Sequence, residues 1–160
     1  MLKKFDTSLN PGPERWEKIS KIYDFTDKCV ADIGCWNGYF SMKIGKFAES
    51  IFCYDKHPVK FASDYNVVEF DLDHDIIPDY YDTIVFLDTL QYVEDPELAI
   101  KKIFLSADDI IIEIFFNKVQ SHWFMLSRKR LLELTTKYKH KLKTEFELER
   151  GSTVMLFEKC

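Results

Sequence analysis

The stretch Cys29-Val30-Ala31-Asp32-Ile33-Gly34-Cys35-Trp36-Asn37-Gly38-Tyr39-Phe40-Ser41 decides how the chain is read. Its first five residues are almost wholly apolar, as expected of a strand covered on both faces. The run ends at Gly34, a second glycine follows at Gly38, and Phe40, Ile44, Phe47 and Ala48 then fall on one helical stripe within residues 37–49. A strand, a tight glycine turn and a helix form the first unit of a doubly wound sheet.

Working outward, the same alternation recurs. Short apolar runs at residues 51–55, 66–71, 83–88 and 109–116 add four candidate strands. Pro96 and Glu97 open a helix over 96–105 that buries Leu98, Ile103 and Leu105. Trp16, Ile19, Ile22 and Tyr23 share one face of a helix over 14–23. Ser127 caps a helix bearing Leu131, Leu132 and Leu134, and strands at 142–148 and 153–158 flank Gly151-Ser152 as a hairpin. The expected fold is α/β: a doubly wound, seven-stranded, mostly parallel sheet with a C-terminal antiparallel hairpin. The connection 71–82 leaves little room for a helix but is long enough, at roughly 3.3 Å per residue, to cross two strands if extended. One domain over 1–160 is expected, with residues 1–12 flexible.

The 160 residues are 46% hydrophobic and 31% charged, which excludes disorder and low complexity and permits a full core. A net charge of -5 is too balanced for a protein that coats nucleic acid or membrane. Its distribution is uneven: residues 64–113 hold 14 acidic and 2 basic side chains, whereas 118–150 hold 9 basic and 4 acidic. Either these are solvated surfaces, or the basic segment around Arg128, Lys129 and Arg130 meets a phosphorylated or nucleic-acid partner. Cys29, Cys35, Cys53 and Cys160 show neither C-x-x-C spacing nor a disulfide framework, and read as free thiols. No signal peptide or membrane span is read, which points to the cytoplasm.

In a doubly wound sheet, ligands bind at the carboxyl ends of the strands where strand order reverses. The residues there are the turn 34–38, Asp55 closing the second strand 21 residues after Gly34, Asp71, and Asp88. A carboxylate at Asp55 can accept two ribose hydroxyls. A dinucleotide fingerprint would place its glycines at 34, 36 and 39, where this chain has Gly34, Trp36 and Tyr39, and the bulk at 36 argues against a pyrophosphate ligand. Asp71, Asp73, His74 and Asp75 are not read as a metal site, the last three being expected to alternate outward on a loop.

On these residues the chain resembles the class I S-adenosylmethionine-dependent methyltransferases. Residues 30–41 are similar to the first motif of that family, Asp55 to its ribose acid, and Glu69-Phe70-Asp71-Leu72 to its third-strand motif. Residues 81–96 are similar to its fourth-strand block. The resemblance covers about residues 28–159. It implies S-adenosylmethionine as cofactor, held by Asp32, Gly34, Cys35, Trp36, Gly38, Asp55, Lys56, Asp71, Leu72 and Leu87, with Asp88 and Tyr92 as catalytic candidates. Two positions depart from the pattern: Trp36 replaces the second glycine, and Tyr92 stands where the family usually has His. The indole at 36 either points outward over a tolerated turn or degrades the pocket.

The expected function is methyl transfer to an acceptor that the sequence does not identify, a small molecule being favoured over RNA or protein. A methyltransferase-like binding or regulatory module without turnover is the alternative. Residues Phe115, Phe116, Trp123, Phe124 and Met125 either line an acceptor pocket or pack as a helix and loop, and a homodimer is compatible with so compact a domain. Asn117 and His122 are further candidates beyond the fifth strand.

Overall fold

The computed structural model describes residues 12–58, 65–116 and 126–160. The elements are α1 (Gly12–Ile22), β1 (Cys29–Ile33), α2 (Tyr39–Ile44), β2 (Ser50–Asp55), β3 (Val67–Glu69), β4 (Tyr81–Phe86), α3 (Pro96–Phe104), β5 (Ala107–Ile114), α4 (Arg128–Lys137), β6 (His140–Glu147) and β7 (Thr153–Lys159). A single 3₁₀ turn, Leu90–Tyr92, lies between β4 and α3. Gly12, grouped by the sequence reading with a flexible terminus, is buried at the first position of α1. Residues 1–11 of that stretch lie outside the described residues.

The seven strands form one sheet in the order β3-β2-β1-β4-β5-β7-β6. β1 pairs in parallel with β2 on one side and β4 on the other, so the strand order reverses between β1 and β4. β7 runs antiparallel between β5 and β6, giving the expected terminal hairpin. On one face, Ile19 of α1 and Ile44 of α2 close over Val30, Val85, Ile111 and Leu156. On the other, Ile100, Ile103 and Phe104 of α3 and Leu131 and Leu134 of α4 close over Phe86, Ile110, Ile112 and Phe157. Truncating a fully buried isoleucine such as Ile103 to alanine is expected to cost about 2–5 kcal/mol.

Local chemistry explains most boundaries. Asp95 caps α3 by accepting the Leu98 amide at 3.0 Å, with Pro96 at the first helical position. Ser127 caps α4 by accepting the Arg130 amide at 3.1 Å. The buried stripe of α3 is Ala99, Ile100, Ile103 and Phe104, while Leu98 and Leu105, expected inside, are exposed. Those two leucines share a helical face with Lys101 and Lys102, and the fully apolar stripe takes the sheet. The outer strand β6 alternates buried His140 and half-buried Leu142 and Phe146 with Lys141, Lys143, Glu145 and Glu147, charges that discourage pairing with another chain.

The connection from β3 to β4 crosses β2 and β1 without a helix. Phe70, Leu72 and Ile77 plug that part of the face, and Lys102 of α3 donates to the carbonyls of Leu72 (2.6 Å), Asp73 (3.3 Å) and Asp75 (2.8 Å). Phe52, Val68 and Ile76 stay exposed. Among the described residues, no helix is long and apolar enough to cross a membrane.

Candidate functional site

Register brings the predicted residues to one edge of the sheet. Asp32 pairs with Cys53 of β2 and Val85 of β4, Asp55 pairs with Glu69 of β3, and Asp88 lies two residues beyond the end of β4. Four strands thus end in or near a carboxylate at the reversal of strand order, where the next connections diverge to opposite faces and leave a crevice.

The turn after β1 is fixed from below. The amides of Gly34 and Cys35 both donate to the Tyr54 carbonyl, at 2.8 and 3.1 Å, and the Gly38 amide donates to Cys35 O at 2.8 Å. Gly34, at φ 76°, has a left-handed backbone, and a Cβ there would lie 2.3 Å from Thr89 Oγ1. Glycine is therefore required at 34 both for the bend and for the close approach of the loop after β4. Gly38 is left-handed as well, at φ 68°, at the head of α2.

Trp36 occupies the family's second glycine with φ 44°, a conformation that glycine adopts without strain and tryptophan does not. Its side chain is 49% exposed. Its amide donates to Asp55 Oδ2 at 2.7 Å, and the His57 amide donates to Asp55 Oδ1 at 2.8 Å. Asp55 is thus oriented by two backbone donors, and each oxygen retains a lone pair.

Asp32 is buried. Its Oδ2 accepts the Ser41 hydroxyl at 2.5 Å, and among the described residues no cation lies within ion-pair distance. Burial, opposed by that hydrogen bond and reinforced by the charge of Asp55, pushes its carboxyl up to about 6. A carboxylate supported mainly by neutral donors is chemically suited to a cationic ligand group. Cys35 and Cys53 are both buried.

Further along the edge, Lys56 pairs with Asp71 at 2.8 Å, and the Asp73 amide donates to Asp71 Oδ1 at 3.1 Å. The Lys56 ammonium holds the Asp71 carboxyl below the usual carboxylate range. Leu72 and Leu87, expected against the cofactor, are buried in the two opposite core clusters, which leaves little side-chain surface for a ring. Asp73, expected to point outward, points in: its side chain is 7% exposed and accepts the Glu94 amide at 2.8 Å, tying the loops after β3 and β4 together. No group of three or more metal-binding side chains occurs among the described residues.

Asp88 is left-handed at φ 54° and does not cap the following turn. Its Oδ1 accepts Gln91 Nε2 at 2.6 Å and its Oδ2 accepts Arg150 Nη1 at 2.9 Å. Tyr92 is 64% exposed. Phe115 and Phe116 follow the end of β5, while Asn117, His122, Trp123, Phe124 and Met125 lie outside the described residues.

Sequence reasoning missed the network behind Asp88. Glu113 of β5, fully buried, accepts Arg15 Nη1 on Oε2 at 2.7 Å, and Arg150 Nε at 3.0 Å and Ser152 Oγ at 2.6 Å on Oε1. The Arg150 guanidinium also lies 4.7 Å from the Phe115 ring centre, and that of Arg15 5.2 Å from Phe40. The hairpin β6–β7 thereby reaches the Asp88 end of the site. One signal was available: a lone glutamate in the run Ile110 to Ile114 can be buried only with cationic partners.

No family model matches the chain, and no curated protein matches it in sequence. Its architecture does match solved structures. The N-methyltransferase NodS from Bradyrhizobium japonicum WM9 aligns over 95% of this chain and 98% of its own, with a TM-score of 0.75 and 15% identity. Magnesium protoporphyrin IX methyltransferase (ChlM) from Synechocystis PCC 6803 with bound SAH aligns over 93% and 82%, at TM-score 0.75 and 12% identity. An S-adenosylmethionine-dependent methyltransferase from Mesorhizobium loti aligns over 91% and 97%, at TM-score 0.73 and 11% identity. Strand order, terminal hairpin and these alignments together give the chain the fold of the class I S-adenosylmethionine-dependent methyltransferases.

Proposed function

We propose that the chain binds S-adenosylmethionine at the carboxyl edge of β1, β2 and β3 and transfers its methyl group to a small-molecule acceptor. The observation that carries the reading is Asp55, whose carboxylate is aimed by the Trp36 and His57 amides while each oxygen keeps a lone pair for a ribose hydroxyl. Asp32, buried with no cation at ion-pair distance among the described residues, suits the ammonium of the cofactor's amino-acid end. The backbone of Gly34, Cys35, Trp36 and Gly38 forms the cradle, and Lys56 fixes Asp71 for the adenine end. Given the burial of Leu72 and Leu87, these two contribute through their backbone.

The bound sulfonium supplies an activated methyl group. The protein has then to align the acceptor in line and keep water out. Asp88, held by Gln91 and Arg150, is placed to orient an acceptor hydrogen-bond donor, and Tyr92 flanks it. A small acceptor is favoured over nucleic acid because the arginines of α4 are already paired, Arg128 with Glu145 and Arg130 with Glu97 and Glu133. That leaves neither arginine as an uncompensated charge to release counterions from a phosphate backbone.

Calorimetric titration of S-adenosylmethionine, S-adenosylhomocysteine and NAD tests the reading. The two adenosyl ligands are expected to bind and NAD is not. Asp55→Ala removes two charge-assisted hydrogen bonds and should weaken binding at least about 100-fold. Failure of both adenosyl ligands would refute the cofactor assignment; binding with no methyl transfer to any acceptor pool would favour a module without turnover.

A further inference from the structure

An arginine stands at position 15 where the helical period of α1 calls for an apolar residue: with Gly12 and Ile19 it makes the buried stripe of that helix. A guanidinium is tolerated there only with partners, and those of Arg15 are few. Its Nη1 donates to Glu113 Oε2 at 2.7 Å, and the guanidinium carbon lies 5.2 Å from the centre of the Phe40 ring. Its Nε is buried and has no hydrogen-bond partner among the described residues. A buried N–H of a cationic group left in that state is costly, so an acceptor from outside the chain, water or ligand, has to reach it.

The register sets this donor at the end of the crevice where Asp32 lies. Asp32 on β1 pairs with Val85 on β4, and Val85 with Ile111 on β5. Val85, Leu87 and Ile111 face α1 and α2, and by strand alternation Glu113 does too, two residues closer to the carboxyl edge. Phe40, in the first turn of α2, precedes Ser41, whose hydroxyl donates to Asp32. The guanidinium is thus held by Glu113 on one side and by the first turn of α2 on the other, next to the Asp32–Ser41 pair. Its charge opposes the upward push that burial gives the Asp32 carboxyl.

We propose that Arg15 holds the carboxylate of the cofactor's amino-acid end, its Nε–H donating to that group while Asp32 takes the ammonium. The assignment rests on the cofactor reading above. An α-amino acid carries both charges on one carbon, so a ligand whose ammonium meets Asp32 brings its carboxylate into the same corner. Two carboxylates there without a cation would repel strongly, because the site is shielded from water. Arg15 supplies the cation, and Glu113 fixes the guanidinium through Nη1 while Nε is offered to the ligand. The corner therefore selects a ligand with both charges at one end, which adenosine and NAD lack.

The test compares S-adenosylhomocysteine with its decarboxylated analogue, which keeps the adenosine, the sulfur and the amine. In calorimetry on the full chain, wild type is expected to bind the analogue about 10- to 100-fold more weakly. Arg15→Gln keeps a neutral donor for Glu113 but no charge; it should lose about 10- to 100-fold for S-adenosylhomocysteine and stay within about threefold of wild type for the analogue. Equal losses for both ligands would mean that Arg15 only supports the fold, and would overturn the proposal. Should the variant fail to fold, the Arg15 Nε–H resonance of the wild-type protein, assigned through the bonds of its own side chain, gives the answer: it should shift with S-adenosylhomocysteine and not with the analogue. A resonance that responds to both ligands alike, or to neither, marks a donor satisfied by water and overturns the assignment alone. If wild type binds neither adenosyl ligand, the cofactor reading itself fails and the assignment falls with it.

Discussion

Replacing Asp32 by asparagine isolates the cost of an ionised carboxylate beneath the turn. The amide keeps the size of the side chain and an oxygen for the Ser41 hydroxyl, now at 2.5 Å from Asp32 Oδ2, but carries no charge. The carboxyl is pushed from the ordinary 3.8 to about 6, chiefly by burial. At 1.36 kcal/mol per unit, a shift of about two units corresponds to about 3 kcal/mol. The folded state's pKa is the higher one, so between about pH 4 and pH 6 the folded chain keeps a proton that the unfolded chain has released. Wild-type stability therefore falls as pH rises through that window, and the full penalty stands above about pH 6. The asparagine variant escapes it. Urea unfolding of the ligand-free proteins across about pH 4 to 7.5 should show the stability difference moving in favour of Asp32→Asn by about 3 kcal/mol, then levelling off. At neutral pH the same variant should bind S-adenosylhomocysteine more weakly, because the ammonium loses its counter-charge. A stability difference that stays flat across the pH range would refute the assignment of a strained, buried carboxylate at position 32.

Gly34→Ala forces a Cβ into the left-handed region and to within 2.3 Å of Thr89 Oγ1, so thermal unfolding should show a loss of about 1–3 kcal/mol, partly recovered in the Gly34→Ala/Thr89→Ala double variant. Glu113→Gln leaves Arg15 and Arg150 without their shared buried carboxylate and should cost about 3–5 kcal/mol in urea unfolding; an unchanged midpoint would mean that the two arginines find other partners. Lys102→Met releases the three carbonyls of the crossing loop, so amide exchange at residues 71–75 should rise and adenosyl-ligand affinity fall by about tenfold, with little change at β5 or β7.

The strands were legible because each is a short apolar run bounded by turn residues, and runs such as Ile110–Ile112 leave no alternative to burial on both faces. Their ends were less so. The apolar run 83–88 marks β4, but the strand spans Tyr81–Phe86, and Asp88 at φ 54° takes the chain out of the sheet. Leu98 and Leu105 share their helical face with Lys101 and Lys102, whereas Ala99, Ile100, Ile103 and Phe104 make the wholly apolar stripe that packs on the sheet, Phe104 against Phe157 and His140, so this exposure was legible in the helical period. The inward turn of Asp73 was hidden because its partner, the Glu94 amide, is 21 residues away.

From the sequence alone came the alternation that makes a doubly wound sheet, the hairpin at its end, the glycine turn and the row of aspartates that close its strands. These are local patterns, and periodicity and turn chemistry act within a few residues of where they are written. Tertiary structure decided which groups meet. It set the amides of Trp36 and His57 on Asp55, the Ser41 hydroxyl on Asp32, and Arg15 and Arg150 on Glu113, contacts between residues up to 98 positions apart. Such pairs form only once the strands have found their register and the core has closed. At that point the cost of burying Glu113 or Asp32 depends on what the fold has brought alongside, information that no single stretch of sequence contains.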